Sequence, residues 1–301
     1  MRVTAKEKKE PSLAFGGQAV MEGVMMRSKN HVVVCVRQPN NEIVTKTEEL
    51  HSLSEKCRFL KLPFLRGILA LFETLYVGIK GIYFSANAAF GEGAEEEEES
   101  LSSLEIIVVI IVAVCLSILL FSVTPFFLTS LLNLGGGLLF NIAEGVVRLS
   151  FLLAYLAAVS LVGDFKRIFQ YHGAEHTAIN AYESGVELNV ENAKKYSRFH
   201  SRCGTSFLLI VTLISILFFS LMPSADYLVR LSYRVVLIPV ISAVSYELLK
   251  LSDKYRDSTV MRVLVAPGLA LQHLTTRQPD DDMIEVAIKA VKEVEHLQKG
   301  M

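Results

Sequence analysis

The sequence predicts a mainly α, polytopic helical membrane protein with about four spans and a small strand-containing cytoplasmic segment near its N-terminus. Three observations lead there. Mean hydropathy is +0.41 with 51% hydrophobic residues, above an ordinary soluble chain. Apolar runs of bilayer-crossing length recur, led by IIVVIIVAVCLSILLF. Near the N-terminus, β-branched runs flank the turn formers Pro39, Asn40 and Asn41.

Residues 1–60 form the strand-containing segment. It opens on MRVTAKEKKEPS, charged and not followed by an apolar h-region, so no cleavable signal peptide is expected. In FGGQAVMEGVMMRS, Gly16, Gly17 and Gly23 permit sharp turns or close backbone approach, which suits a tight start to a small sheet. The functional alternative is a loop lining a site, with Glu22 or Arg27 as its polar members. HVVVCVRQPNNEIVTKTE then reads as a short β-hairpin about Pro39, Asn40 and Asn41.

Within residues 61–90, the long apolar segment from Leu62 to Phe90 is interrupted by Arg66, Glu73 and Lys80, which are spaced by seven and fall near one stripe of a helix. That predicts an amphipathic or interfacial helix, on the membrane surface or against the bundle, rather than a span. Residues 91–104, with GEGAEEEEES, read as a solvated acidic linker because clustered carboxylates repel.

Residues 105–251 form the membrane bundle, with spans at Ile106 to about Leu132, Val146 to Gly163, Cys203 to Pro223 and Tyr233 to Leu249. The second is short and bracketed by Arg148 and Asp164, so its ends should snorkel. The fourth has only twelve uncharged residues between Arg234 and Glu247, and a partly inserted helix is the alternative. A cytoplasmic loop, 164–204, joins the second span to the third. Residues 252–301 form a tail with a terminal helix, started by Pro279 and Asp280 to Asp282, with Ile284, Val286, Ala287, Ala290, Val291 and Val294 on its docking side.

The 30 basic and 31 acidic side chains nearly balance, so no overall pull toward nucleic acid exists. Cys35, Cys57, Cys115 and Cys203 form no CxxC pair, which argues against a disulfide framework and suits a reducing compartment. Thirteen Lys and Arg precede the first span, six lie within 166–202 and eight follow from Lys250, whereas 133–145 has none. The positive-inside rule then gives a multi-pass cell-membrane protein with both termini and the central loop cytoplasmic. The expected partners are the lipid bilayer and a membrane protein or second copy of the chain.

The chemistry concentrates in YHGAEHTAIN. His172 and His176 are one helical turn apart, so their imidazoles can converge on one divalent ion, and Glu175 lies on the adjoining part of that face as a general base. The order H-x-x-E-H is that of the inverted zincins. The bland alternative is a polar juxtamembrane helix with solvated histidines, and Gly173, a weak helix former, is the reason to consider a cap there. A second cluster, His200 and Cys203, precedes the third span, and Gly185 and Asn189 between the clusters read as C-cap and N-cap of two helices that fold back on each other. His200 and Cys203 rank as further metal ligands above Glu183 and Glu187; Glu247, a carboxylate in an apolar segment, is a weaker candidate. As a structural alternative, His200 and Arg202 anchor headgroups and Cys203 is merely buried.

FGGQAVMEGVMMR, YHGAEHTAINAYE, HSRCGTSF, SYELLKL and PGLALQHLTTRQPDDDMIEVAIKAV together resemble the YqhQ family of bacterial membrane proteins, over nearly the whole chain. Ser201 stands where that family's pattern leads one to expect proline. The resemblance implies a family of unknown function described as predicted metal-dependent enzyme, and no substrate. The leading expectation is therefore a metal-dependent, hydrolase-like membrane enzyme carrying zinc or a similar divalent ion. The rival is a non-enzymatic scaffold or assembly factor with a structural metal or none.

Overall fold

The computed structural model describes residues 15–50, 60, 62, 64–91, 102–135, 137–222, 226–255 and 258–299. Cys57 and residues 92–101 of the acidic linker lie outside these residues.

Four antiparallel strands follow one another in chain order, β1 (Gly16–Val20), β2 (Gly23–Arg27), β3 (His31–Arg37) and β4 (Ile43–Glu49). The expected hairpin is β3–β4, and the glycine-rich start is the hairpin β1–β2, turned through Glu22 at φ 50°. The unbroken apolar run of β3 is buried because both sheet faces are covered. Alternation along the strand sends Val32, Val34 and Val36 to one face and Val33 and Cys35 to the other. Edge strand β4 mixes half-buried and exposed residues.

Helix α1 (Leu65–Ala89) covers the first face with Val77, Phe84 and Ala88. Contrary to the sequence expectation, its 25 residues are long and apolar enough to cross a membrane. The three charges that argued against a span each find a partner: Arg66 donates to Glu247 at 2.7 and 2.5 Å, Glu73 meets Arg27 at 3.2 Å, and Lys80 meets Glu48 at 2.7 Å. Pairing offsets part of the penalty that an isolated charge would carry in an apolar setting.

Helix α2 (Ser103–Ile118) starts in a capping box of Ser102 and Glu105 and runs through one π-helical turn (Leu119–Val123) into α3 (Thr124–Ser130). Helix α4 (Leu138–Val159) begins earlier than Val146, because Arg148 marks no helix end. It is buried mid-helix, bonded to Glu144 one turn away and to Ser215 at 2.9 Å, so no snorkelling is needed. Helices α5 (Gly163–Glu183) and α6 (Val190–Ala193) are separated by Gly185 at φ 70° and by Asn189, whose side chain caps α6, as the sequence indicated.

Helix α7 (Gly204–Ser220) is apolar but only 17 residues long; α8 (Tyr227–Val236) and α9 (Ile238–Lys254) meet at a 42° bend. Three helical units, α1, α2–α3 and α4, are long and apolar enough to cross a membrane, or four if α8–α9 is one bent span. The predicted tail needs correction. Residues Thr259–Thr275 form helix α10, which lies along α7 so closely that a Cβ on Gly268 would come within 2.7 Å of Ser206 Oγ. Helix α11 (Asp281–Lys299) buries Ile284, Val286, Ala287, Ala290, Val291 and Val294, and with α5 covers the second sheet face.

Candidate functional site

The middle of α5 is held from three sides. The chain after α10 crosses it at Gly173, where a Cβ would meet the Arg277 carbonyl oxygen at 2.1 Å, and the Arg277 N–H donates to the Phe169 carbonyl at 2.8 Å. Gly173 therefore caps nothing; its missing side chain admits a crossing backbone. From the sheet, Gly17 lies under Glu175, since a Cβ there would be 2.4 Å from Oε1. From the loop before α7 come His200 and Cys203.

The two imidazoles are anchored alike. His172 Nδ1 lies 2.8 Å from the Thr275 carbonyl oxygen and His176 Nδ1 lies 2.7 Å from that of Arg198. A carbonyl only accepts, so each Nδ1 carries a proton, and in the neutral ring Nε2 is the nitrogen left with a lone pair. The rings sit 4.5 Å apart. Cys203 Sγ approaches His172 Nε2 at 3.2 Å, and one donor atom from each of His172, His176 and Cys203 lies within 4.8 Å of the others. These three could hold a metal ion. His176 and Cys203 are buried, whereas His172 is half-buried and forms the open edge.

Glu175 is 4% exposed, and its Oε2 has no hydrogen-bond partner among the described residues. Burial pushes its carboxyl up to about 8; His172 opposes the shift and the Cys203 thiol adds to it. Burial also holds His176 well below the usual imidazole value, hence neutral, and raises the Cys203 thiol. A raised thiol is a poor free nucleophile, so Cys203 beside His172 does not form a ready thiolate pair.

The remaining candidates are placed around this trio. His200 lies tilted beside His176 at 5.7 Å between centroids and turns Nε2 toward Glu183 Oε2 at 3.8 Å, while Glu183 also pairs with Arg202. Glu187 lies in the turn before α6, outside the donor group, and Glu247 is taken by Arg66. Glu22 pairs with Arg167 beside a cleft of about 580 Å³, and Arg27 pairs with Glu73, so neither reaches the trio. Gly17 is the residue of the glycine-rich start that does.

Sequence reasoning missed Gln272 and Thr275 of α10. Gln272 is fully buried; it accepts from the His200 N–H at 2.9 Å and donates to the His200 carbonyl at 2.8 Å. Thr275 supplies the carbonyl under His172, and its hydroxyl lies 3.2 Å from that of Thr205, which sits 3.1 Å from Cys203 Sγ. The one available signal was a polar Gln272 within the apolar run LALQHL.

Residues 62–297 match the family described as protein of unknown function, DUF1385. The chain belongs to this family. It is 38% identical over 300 residues to the uncharacterized protein YqhQ of Bacillus subtilis (strain 168), across 95% of this chain and 93% of that protein. No solved structure matches it. The DUF1385 match takes in His172, Glu175, His176, Cys203 and Gln272 but starts after the sheet, so Gly17 reaches the site from outside it.

Proposed function

We propose that this protein is an integral membrane enzyme, a metal-dependent hydrolase with its site at the cytoplasmic face. In this reading His172, His176 and Cys203 hold one zinc ion and Glu175 serves as general base. The supporting observation is the orientation of the two imidazoles, whose Nδ1 atoms face backbone carbonyls while the Nε2 atoms are left available beside Cys203. Two imidazoles and a sulfur suit zinc, and three protein donors leave one coordination position for substrate or solvent. The orphaned Oε2 of Glu175 also fits a polar occupant in an otherwise closed place.

When bound, the ion supplies Lewis acidity to an acyl or phosphoryl oxygen, and its charge counters the burial that raises Glu175. The chain does the rest. Thr275 and Arg198 hold the rings through their carbonyls, and Glu175 accepts the proton of the attacking water and returns it to the leaving group. The apolar helices supply the bilayer anchor, and the basic residues of the sheet segment, the α5–α6 region and α11 support a cytoplasmic position.

The test pairs metal content with function. Purified protein should carry close to one zinc per chain and lose it in His172→Ala/His176→Ala. Glu175→Gln should keep the metal and the fold yet fail to complement a deletion strain, because an amide accepts no proton. Full complementation by Glu175→Gln, with the histidine variants destabilised, would move the reading to a non-enzymatic scaffold with a structural ion.

A further inference from the structure

The bundle holds a half-open cavity of about 460 Å³, within the roughly 300–1,000 Å³ of small-molecule sites. Most of its wall is apolar, including Ile110 and Val114 of α2, Leu152 and Leu156 of α4 and Ile241 of α9. Arg148, Arg234 and Ser122 also line it. The side chains of Arg148 and Arg234 are 9% and 2% exposed, and that of Glu144 is fully buried.

The charges there do not balance. Arg148 bonds Glu144 and Ser215; Arg234 donates to Asn141 Oδ1 and to the Arg230 carbonyl, both at 3.0 Å, and stands 3.8 Å from the same Glu144. Two guanidinium groups thus share one carboxylate inside an apolar bundle, where an uncompensated charge is costly. Phe219, 5.0 Å from each guanidinium, softens this without neutralising it. The Nε atoms of both arginines and Ser122 Oγ have no hydrogen-bond partner among the described residues. Ser122 belongs to the π-helical turn, a distortion frequent at functional sites. Helix α2 buries only Ile106 and Ile110, so the wall it forms is lightly held and faces the surrounding medium.

We infer that the cavity is a binding site for an anionic lipid, whose headgroup meets Arg148, Arg234 and Ser122 and whose acyl chain fills the apolar space under α2. A net negative headgroup cancels the excess guanidinium charge and supplies acceptors for the orphaned donors; a zwitterionic headgroup brings its own cation and does not. The inference rests on the proposed bilayer setting of the bundle and not on the metal centre.

The experiment uses full-length protein in nanodiscs, treated with chelator so that the metal centre plays no part. Native mass spectrometry then compares retained phosphatidylglycerol and phosphatidylcholine of identical chains, with glycerol phosphate as the free-headgroup competitor. At least a tenfold preference for phosphatidylglycerol, untouched by glycerol phosphate, is expected. Arg234→Gln, which leaves Glu144 and Arg148 balanced, should abolish the preference. Ser117→Trp, which fills the cavity from the exposed side of α2, should abolish retention and keeps the test open if Arg234→Gln does not fold. Equal retention of the two lipids, displacement by glycerol phosphate, or a preference that survives Ser117→Trp would overturn the inference. Failure to enter nanodiscs would overturn the bilayer setting with it.

Discussion

Gln272 grips the His200 peptide from both sides, accepting its N–H and donating to its carbonyl. Because that side chain is fully buried on α10, it sets the path of the chain that delivers Cys203 three residues later. The donor trio therefore depends on a residue that offers no donor itself.

Replacing Gln272 by Leu removes both of its buried hydrogen bonds to the His200 backbone, a loss on the order of 3 kcal/mol in stability. Zinc affinity should fall about 10–100-fold, as for other supports of metal ligands. Thermal unfolding and competition against a chromogenic chelator measure the two effects. Wild-type zinc affinity in Gln272→Leu would detach the clamp from the site.

Gly173→Ala should also destabilise the fold. Alanine gains up to about 1 kcal/mol in helix propensity, but its Cβ would meet a backbone oxygen at 2.1 Å, so α5 and the crossing chain must separate. A net loss of about 1–3 kcal/mol is expected, with weakening of the Thr275–His172 bond that the same chain carries. Denaturant unfolding of the variant tests this, and a stabilised Gly173→Ala would disprove the close crossing.

Cys35 gives a pH dependence of defined sign. Burial raises its thiol from 9.0 to about 11, against a smaller opposing effect of the Thr45 hydroxyl. Between those values the native chain keeps a proton that the unfolded chain releases, so stability falls as pH rises from 9.0 toward 11; below 9.0 the contribution is constant. Cys35→Val should flatten that slope, and iodoacetamide at pH 9 should modify Cys35 only on unfolding. Rapid modification in the folded protein would contradict the burial.

Because α11 packs on the sheet, the two ends of the described chain lie on one side of the fold. With the basic residues concentrated there, a reporter fused after Met301 should register as cytoplasmic. Periplasmic activity would invert the proposed placement of the site.

Much of this architecture was legible in local pattern. The hairpin, the caps at Gly185 and Asn189, the apolar side of α11 and the one-turn spacing of His172 and His176 all depend on neighbours within a few residues. What was not legible depends on distant partners. Arg66 and Lys80 argued against a span until Glu247 and Glu48 were found beside them, and Arg148 seemed a helix end because Ser215 lies 67 positions away. Glu247 seemed a candidate ligand for the same reason. The support of His172 comes from Thr275, 103 positions on, and no spacing rule reaches that far.

The sheet is tied to α11 by partners 245 to 248 positions away: Arg37 donates to Glu285 at 2.6 Å and to the Asp282 carbonyl at 3.0 Å, and Lys289 donates to the Ile43 carbonyl at 2.8 Å. During synthesis the Val33–Cys35 face emerges early and waits for its cover, roughly 10–50 s at ordinary elongation rates. The bundle helices are made in that interval. Thr275, the crossing at Gly173 and α11 all come from the last part of the described chain, so the site is completed only after the bundle helices have been made. Assembly of the donor trio's surroundings is thereby timed after the helices have been made, and a nascent chain stalled before α11 carries histidines without a finished site.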